Sequence, residues 1–476
     1  MSVLVDPQPH DTATGPARRP VPVWVAVLAA SLPMFITTLD NLVMTSALPV
    51  VQADLDSSVN QLSWFMNAYS LVFATFMLLA ATLGDRIGRR RVMLGGIAIF
   101  MLGSIGAALS TSSEALIAAR AIQGLGAAAI MPLSLTLLAS AVPPARRAAA
   151  IGIWGGVSGL GVALGPVVGG AVVEGISWQA IFWLNVPITL LALPLVVRGL
   201  QESRSASAGR LDVLGTALLG GAVFAGIWGI VHGNDDGWAS PVVLTTLVLG
   251  AVLLTAYVGW ARTRRDAILP LRLFRSRSFA VANVIALTFT IGMFGAVFLL
   301  SQYLQVVQGY SPLEAGLRTL PWTAAPMVVA PLAGAIAPRV GLRPLLLVGL
   351  VLQTVSLVWF AVVTEAGSDY SAFVPALLVA GLGMGLTFAP MSTAVLEGLP
   401  DDDFATASSA NSTIREFGVA LGVAGIVAVF QGNGGAITPT GYDGAVGPAL
   451  LAGAAVVGVA VVAALFAPAR VKTLEA

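Results

Sequence analysis

The 476-residue chain contains no cysteine, two histidines and one lysine, and each scarcity excludes a class of chemistry. Without cysteine there are no disulfides, catalytic thiols or thiolate metal sites. His10 and His232 lie far apart in the sequence, which argues against a histidine metal centre or a catalytic triad. Lys472 belongs to no Gly-x-x-x-x-Gly-Lys phosphate loop, so ATP is not the expected fuel. We expect no metal, no cofactor, no nucleic-acid partner and no enzymatic activity.

Charge is also scarce. Charged residues make up 10% of the chain and hydrophobic residues 57%, whereas soluble domains carry about 25% charged residues. Fourteen apolar segments have the length of roughly 18–25 residues that a helix needs to cross a bilayer. The sequence therefore predicts an all-α integral membrane protein with fourteen transmembrane helices and, because the number is even, with both termini on one side.

The arginines indicate which side that is. Of the 24 lysines and arginines, all but Arg120, Arg318 and Arg415 map to the termini or to the loops after even-numbered spans. The opposite loops carry acidic residues such as Asp54 and Glu174, with no lysine or arginine. Because positive loops stay in the cytoplasm, both termini are predicted to be cytoplasmic.

The second half of the chain repeats elements of the first at nearly one offset. Chance matches are common in a chain rich in glycine and alanine, but two ordered sets favour a duplication into two pseudo-symmetric six-helix halves. Two further spans between the halves give a 6+2+6 arrangement. The matched residues are Arg86, Gly88 and Arg90 with Arg339, Gly341 and Arg343, and Gly124, Gly126 and Pro143 with Gly381, Gly383 and Pro400.

This arrangement divides the chain into five segments. A disordered cytoplasmic tail (1–21) precedes the N-terminal six-helix half (22–200). A linker with the two extra transmembrane helices (201–278) joins it to the C-terminal six-helix half (279–467). A short cytoplasmic tail (468–476) completes the chain.

Three charged residues within spans are candidates for proton coupling. A carboxylate in hydrocarbon costs several kcal/mol unless it is protonated or paired, so Asp40 in the first span could carry a proton. The alternative is that Asp40 is an ordinary hydrated residue near the outer face. Arg120 begins the fourth span at a similar depth and could share a cavity with Asp40, or snorkel to the headgroups. Glu416, next to Arg415, is a second candidate acid.

A charged turn lies between two apolar runs at residues 84–91, and five of its eight residues are charged. Such a segment cannot lie in hydrocarbon, and its four arginines place it on the cytoplasmic side. The segment is therefore expected to be a short loop at the cytoplasmic surface of the membrane. Its candidate residues are Gly84, Asp85, Arg86, Gly88, Arg89 and Arg90.

The fifth span is rich in glycine. Gly161, Gly165 and Gly169 recur every fourth residue, so they share one helix face that a neighbouring helix can approach closely. Pro166 removes a backbone donor and favours a bend. The series predicts either ordinary helix packing or a pivot or seal between the halves. Its full set is Gly152, Gly161, Gly165, Pro166, Gly169 and Gly170.

Aromatic and polar residues within the spans are candidates for a substrate cavity. Aromatic rings and methionines suit lipophilic ligands because they pack adaptably and attract cations over their faces. Many such residues instead face lipid or other helices. The candidates are Trp64, Tyr69, Gln123, Trp154, Phe294, Phe298, Trp322 and Phe388.

Together these elements resemble the fourteen-span drug–proton antiporter branch of the major facilitator superfamily, over residues 22–466. The resemblance is carried by the Leu39–Pro49 stretch, the Gly84–Arg91 loop, the Arg120–Gly124 run, the Gly152–Gly170 series and Trp178–Pro187. It implies that Asp40 takes part in proton coupling and that Arg120 relays protonation. It also implies that residues 84–91 act as a cytoplasmic gate loop, in which Asp85, Arg86, Arg89 and Arg90 form a latch between the halves. The chain departs from the usual pattern at Leu42, Met44 and Thr45.

The leading hypothesis is proton-coupled antiport that exports lipophilic compounds, cationic or neutral, from the cytoplasm by alternating access. A dedicated exporter of one endogenous metabolite, antibiotic or lipid is a close alternative. A membrane receptor or sensor on a transporter scaffold is a third. The expected partners are a lipophilic small molecule, protons and the bilayer. We expect a monomer in a bacterial inner membrane.

Overall fold

The computed structural model describes residues 22–204, 212–233, 236–264, 267–364, 369–399 and 403–468, and the regular structure in these ranges is helical. Short 3-10 helices cover Leu271–Arg275 and Thr440–Tyr442. The α-helices are α1 (Val23–Leu55), α2 (Val59–Ile87), α3 (Arg89–Ala108), α4 (Ser113–Ala141), α5 (Pro144–Gly175), α6 (Gln179–Trp183), α7 (Asn185–Gly199), α8 (Val213–His232), α9 (Pro241–Thr263), α10 (Arg277–Val306), α11 (Pro312–Thr323), α12 (Ala325–Val340), α13 (Leu342–Val363), α14 (Tyr370–Leu396), α15 (Phe404–Gly432) and α16 (Val446–Ala464).

Most of these helices are long and apolar enough to cross a membrane. Among the described residues twelve spans meet this description, and thirteen do when the two bent parts of α2 are counted as one. The pairs α6–α7 and α11–α12 each contribute one span, at Gln179–Gly199 and Pro312–Ala337. Helix α5 has 32 residues and lies where the remaining predicted span falls. The helical membrane architecture is confirmed, while the count of fourteen stays a prediction.

The helical structure follows from the membrane environment. Hydrocarbon offers no hydrogen bonds, so the backbone N–H and C=O groups must pair with one another. Capping boxes begin α2 and α11, where Ser58 pairs with Gln61 and Ser311 pairs with Glu314. The break between α11 and α12 lies beside Pro321, which has no N–H to donate.

We call α1–α7 the N-terminal half and α10–α16 the C-terminal half. Their glycines make matching contacts. A Cβ on Gly126 of α4 would lie 2.6 Å from the Gly96 carbonyl of α3, and one on Gly383 of α14 would lie 2.7 Å from the Gly349 carbonyl of α13. These pairs are related by the same offsets that relate the repeated motifs. The halves are therefore pseudo-symmetric, as the repeat predicts; the exact boundaries of the five segments stay a prediction.

The turn between α2 and α3 also matches the turn between α12 and α13. Gly88 and Gly341 both have positive φ angles, 125° and 90°. Arg90 donates from Nη1 to the carbonyls of Val197 and Leu200 (both 3.1 Å), at the end of α7. Arg343 donates from Nε to the Ala467 carbonyl (3.1 Å), just beyond α16. In each half, an arginine therefore ties the turn to the end of the last helix.

The extra helices α8 and α9 form a hairpin beside the two halves. Ile227 of α8 packs in one cluster with Trp64 of α2 and Ala424 of α15, so α8 contacts both halves. Asp212, which caps α8, accepts hydrogen bonds from Trp260 Nε1 (2.8 Å) and the Ile268 backbone N–H (2.9 Å). These bonds hold the start of the hairpin to the segment that leaves it.

A bidentate ion pair fastens the segment after the hairpin to the C-terminal half. Arg272 Nη1 and Nη2 lie 2.6 and 2.7 Å from the two carboxylate oxygens of Asp403. This hydrogen bonding raises the pKa of the Arg272 guanidinium above its ordinary value. The linker therefore has a fixed attachment to the C-terminal half.

Successive spans run in opposite directions, so the bundle has a basic end, which carries Arg89, Arg272 and Arg343, and an acidic end, which carries Asp54 and Glu174. The halves meet at the acidic end. Ser301 Oγ donates to the Thr45 carbonyl (3.2 Å), and the Leu313 N–H donates to the Glu174 carboxylate (3.3 Å). In this conformation the acidic end is closed.

Candidate functional site

The deepest charged site lies within the N-terminal half. Asp40 of α1 is 4% exposed and Arg120 of α4 is fully buried. Arg120 Nη1 lies 2.5 Å from Asp40 Oδ2. The structure thus brings together the two residues expected at a similar depth, and Arg120 does not snorkel to the surface.

Three neutral side chains complete this site. Gln123 Nε2 and Asn185 Nδ2 donate to Asp40 Oδ1, over 3.0 and 2.6 Å. Both amides also donate to Ser104 Oγ, over 2.8 and 3.1 Å. We call Asp40, Ser104, Arg120, Gln123 and Asn185 the Asp40 network. Sequence reasoning gave no role to Ser104 or Asn185; Asn185 stood in the Trp178–Pro187 stretch, whereas nothing distinguished Ser104.

The geometry decides what the Asp40 network can do. The carboxylate accepts three hydrogen bonds in a dry interior, so its charge is compensated and it does not open onto solvent. The network is therefore a buried ion pair with compensated charge in this conformation, and its role in proton coupling stays a prediction.

Tyr69 connects the Asp40 network to the centre of the molecule. The Arg120 guanidinium carbon lies 4.6 Å from the centre of the Tyr69 ring, within range of a cation–π contact. The Tyr69 hydroxyl donates to the Thr37 carbonyl (3.3 Å), and the same residue lines a cavity between the halves. A movement of Arg120 would therefore act on the Tyr69 ring, which forms part of the cavity wall.

The space between the halves has two chambers that share Leu42, Val162 and Phe294. The polar chamber, of about 130 Å³, is lined by residues of both halves that include Arg415 and Glu416. The apolar chamber, of about 30 Å³, lies nearer the acidic end. Four predicted cavity residues line these chambers: Tyr69, Phe294 and Phe388 the polar one, and Phe294 and Trp322 the apolar one.

The other four predicted cavity residues lie outside both chambers. Trp64 packs against Trp228 of α8, with ring centres 5.4 Å apart. The Gln123 amide is used within the Asp40 network. The Trp154 indole donates to Ser134 Oγ (3.2 Å), and the Phe298 side chain is enclosed by its neighbours.

Arg415 and Glu416 line the polar chamber from the middle of α15. Among the described residues neither Arg415 Nε nor Glu416 Oε2 has a hydrogen-bond partner. The Arg415 guanidinium lies 5.7 Å from the centre of the Phe388 ring. As expected for neighbours that point about 100° apart on a helix, the two do not form an ion pair.

The predicted gate loop at residues 84–91 bonds to its own half and to Glu202, just beyond the end of α7. Asp85 and Arg89 form an ion pair (2.7 Å), and the backbone N–H groups of Arg90 and Arg91 donate to the Glu202 carboxylate. Arg86 is exposed. Within the part of the chain that the structure describes, the loop's hydrogen bonds stay in the N-terminal half and in the residues directly after it, and none reaches the C-terminal half. The predicted latch between the halves is therefore not formed in this conformation.

We expect Gly88→Ala to loosen the gate loop. Gly88 has φ 125°, and its Cβ would lie 2.7 Å from Glu202 Cδ, so alanine would be strained and would displace the carboxylate. Such backbone strain costs of order 1–3 kcal/mol. Thermal unfolding followed by tryptophan fluorescence should show a lower midpoint. Gly95→Ala is the control, because Gly95 is helical and exposed with nothing within 4 Å of its Cβ; equal midpoints for the two variants would contradict the expectation.

The glycine series of α5 contacts two different helices. Added Cβ atoms on Gly161, Gly165 and Gly169 would meet α1, at 3.1 Å from the Phe35 carbonyl in the first case. Gly170 packs against Leu313 of α11, where its Cβ would lie 2.5 Å from Cα.

Pro166, in the same series, extends the contact with α11 by packing against Gly316. The glycine series therefore packs both within its own half and against α11 of the other half, and its role as a pivot or seal stays a prediction. The packing of Gly152 lies outside what the structure describes.

Comparison with known proteins agrees with this architecture. The chain is 35% identical over 401 residues to the multidrug resistance protein Stp of Mycobacterium tuberculosis, which covers 84% of this chain and 74% of the relative. It is 33% identical over 434 residues to the tetracenomycin C resistance and export protein of Streptomyces glaucescens, covering 90% and 79%.

Solved structures show the same fold. A crystal structure of the peptide transporter POT with sulfate matches 93% of this chain and 95% of its own, with a TM-score of 0.67 and 19% identity. Residues 30–423 match the family described as Major Facilitator Superfamily. The chain is a multi-pass membrane transporter, not an enzyme, and it belongs to the Major Facilitator Superfamily.

Proposed function

We propose that this protein is a proton-coupled antiporter that exports lipophilic drugs or other toxic compounds from the cytoplasm. The observation that carries the proposal is the position of the Asp40 network behind the wall of a cavity that is closed at the acidic end. The names of the relatives, which include multidrug resistance and antibiotic export proteins, support export as the direction.

The proposed cycle moves the two halves as bodies around the chambers. Residues 22–200 and 279–467 would rock against each other, with 201–278 as the linker between them. The arginines of the basic end support a cytoplasmic location for that end, and for the tails 1–21 and 468–476. A monomer in the bacterial inner membrane suffices, because the chambers are built from one chain.

Two carboxylates, those of Asp40 and Glu416, would share the binding and release of protons. Glu416 faces the polar chamber directly, so a proton and a bound compound can compete there. Asp40 would take up a proton when the halves move and the network opens, and Tyr69 would pass the change to the chamber. Each charge that crosses 100 mV supplies about 2.3 kcal/mol, which is enough to drive export against a gradient.

The test is dye transport driven by a pH gradient in reconstituted vesicles. We expect Asp40→Asn to reduce gradient-driven flux more than about tenfold, because the removed group carries the coupled charge. Asp443→Asn, an exposed acid at the acidic end, is the matched control and should transport normally. Undiminished gradient-driven flux in Asp40→Asn would remove Asp40 from the mechanism, and flux that ignores the gradient would refute antiport.

Export of one endogenous compound is the second candidate. The relative from Streptomyces glaucescens is named for the resistance to and export of a single antibiotic, tetracenomycin C. Competition between unrelated dyes for transport would favour the multidrug function, whereas no flux of any dye together with flux of one metabolite would favour this alternative.

A further inference from the structure

The polar chamber carries three buried polar atoms without a partner among the described residues. They are Asn41 Oδ1, Arg415 Nε and Glu416 Oε2, from α1 and α15. Nearly all buried polar groups in proteins have a hydrogen-bond partner, and each exception needs an explanation. All three atoms belong to side chains that line the polar chamber, so the Asn41 amide, the Arg415 guanidinium and the Glu416 carboxylate are available there to pair with a ligand.

The other hydroxyl groups on the chamber wall are already bonded. Thr37 and Thr38 donate to the Met34 carbonyl (2.9 and 3.0 Å), and Thr290 donates to the Ala286 carbonyl (2.8 Å). The open positions are therefore confined to Asn41, Arg415 and Glu416. The chamber presents a specific polar pattern, not a generally polar surface.

The rest of the wall suits a flat apolar body. Phe73, Phe294 and Phe388 line the polar chamber together with Met34 and Met131. Aromatic side chains stack on rings, and methionine side chains adapt their shape to them. The apolar chamber continues this surface towards the acidic end.

We propose that the cavity selects aromatic compounds that carry a hydrogen-bond acceptor beside a donor, such as a carboxamide, rather than permanent cations. Arg415 donates to the acceptor, and the donor binds the carboxylate of Glu416. The adjacent opposite charges of Arg415 and Glu416 cancel, so the chamber offers no net attraction to a fixed positive charge. The inference names the substrate class of the proposed exporter.

The test compares three compounds with one ring system in equilibrium binding to the purified protein, followed by quenching of tryptophan fluorescence. They are anthraquinone-2-carboxamide, its methyl ester analogue methyl anthraquinone-2-carboxylate, and anthraquinone bearing a 2-(trimethylammonio)methyl group. We expect the carboxamide to bind about tenfold more tightly than the ester, which lacks the donor, because a hydrogen bond to a charged group is at stake. The cation should bind most weakly.

Variants assign the bonds. Glu416→Met should abolish the advantage of the carboxamide over the ester, while Arg415→Met should weaken both about tenfold, because both offer an acceptor. Thr38→Val is the control, since that hydroxyl already bonds within α1. Should either methionine variant fail to fold, the wild-type ratio of carboxamide to ester affinity alone decides.

Equal affinity of the wild type for carboxamide and ester, or tightest binding of the cation, would overturn the proposal. This result is distinct from failure of the proposed function. Selective carboxamide binding without gradient-driven flux would leave the ligand class standing and refute antiport. Gradient-driven dye flux with equal binding of carboxamide and ester would do the reverse.

Discussion

Arg120→Leu is expected to lower the free energy of unfolding by about 3–5 kcal/mol, because it leaves a buried carboxylate without its counter-ion. Asp40 is 4% exposed and Arg120 is fully buried, so water cannot replace the lost partner. The amides of Gln123 and Asn185 still donate to Asp40, but neither carries a positive charge. Thermal unfolding measured by fluorescence of the ten tryptophans would show the loss.

Two comparisons isolate the ion pair. Arg198→Leu removes an exposed arginine from the same half and should change the free energy of unfolding by less than about 0.5 kcal/mol. The double variant Asp40→Asn, Arg120→Leu should recover much of the loss, because no uncompensated charge remains. If Arg120→Leu were as stable as Arg198→Leu, the ion pair of Asp40 and Arg120 would not contribute to stability as expected.

Gly170→Val is expected to prevent closure of the acidic end and to reduce transport more than about tenfold, because a clash of a few kcal/mol shifts a two-state equilibrium by that much. A Cβ on Gly170 would lie 2.5 Å from Leu313 Cα and closer still to the Pro312 carbonyl. These are backbone atoms, which cannot turn aside as a flexible side chain can. The clash exists only while the halves are in contact.

Spin labels would measure the effect directly. The chain has no cysteine, so Ala53→Cys and Asn433→Cys introduce one labelled site on each half at the acidic end. The distance between the labels should lengthen in Gly170→Val. Gly175→Val, on the same helix with nothing within 4 Å of its Cβ, should leave both distance and flux unchanged. An unchanged distance in Gly170→Val would show that this contact does not seal the bundle.

The pairing of Asp40 with Arg120 could be anticipated because hydrocarbon tolerates few isolated charges. A helix rises about 1.5 Å per residue, so counting residues from the ends of the two spans places both side chains at one depth. Ser104 could not be assigned in this way. Its hydroxyl donates to the Phe100 carbonyl of its own helix (3.0 Å), as a lone serine in a span commonly does, and only tertiary packing shows that its oxygen also accepts from Gln123 and Asn185.

The cavity was harder to predict than the buried pair. Residue type indicates that an aromatic side chain is buried, but not which neighbour covers it. Phe294 faces the chambers, whereas Trp64 is covered by Trp228 of α8. Helix α8 has no counterpart in the repeat, so the symmetry of the halves says nothing about its position. Glu202, which holds the gate loop, likewise lies outside the repeated motifs.

The hairpin has a consequence for the symmetry of the whole transporter. A body made of two similar halves has two equivalent flanks where the halves meet the lipid. Helix α8 covers only the flank between α2 and α15, where Gly220 packs on Thr75 and Ile227 lies against both halves. That flank is walled off from the bilayer, while the flank formed by α5 and α11 is not covered by the hairpin. Where the two halves meet, the hairpin therefore separates one flank from the bilayer and leaves the other flank open to it.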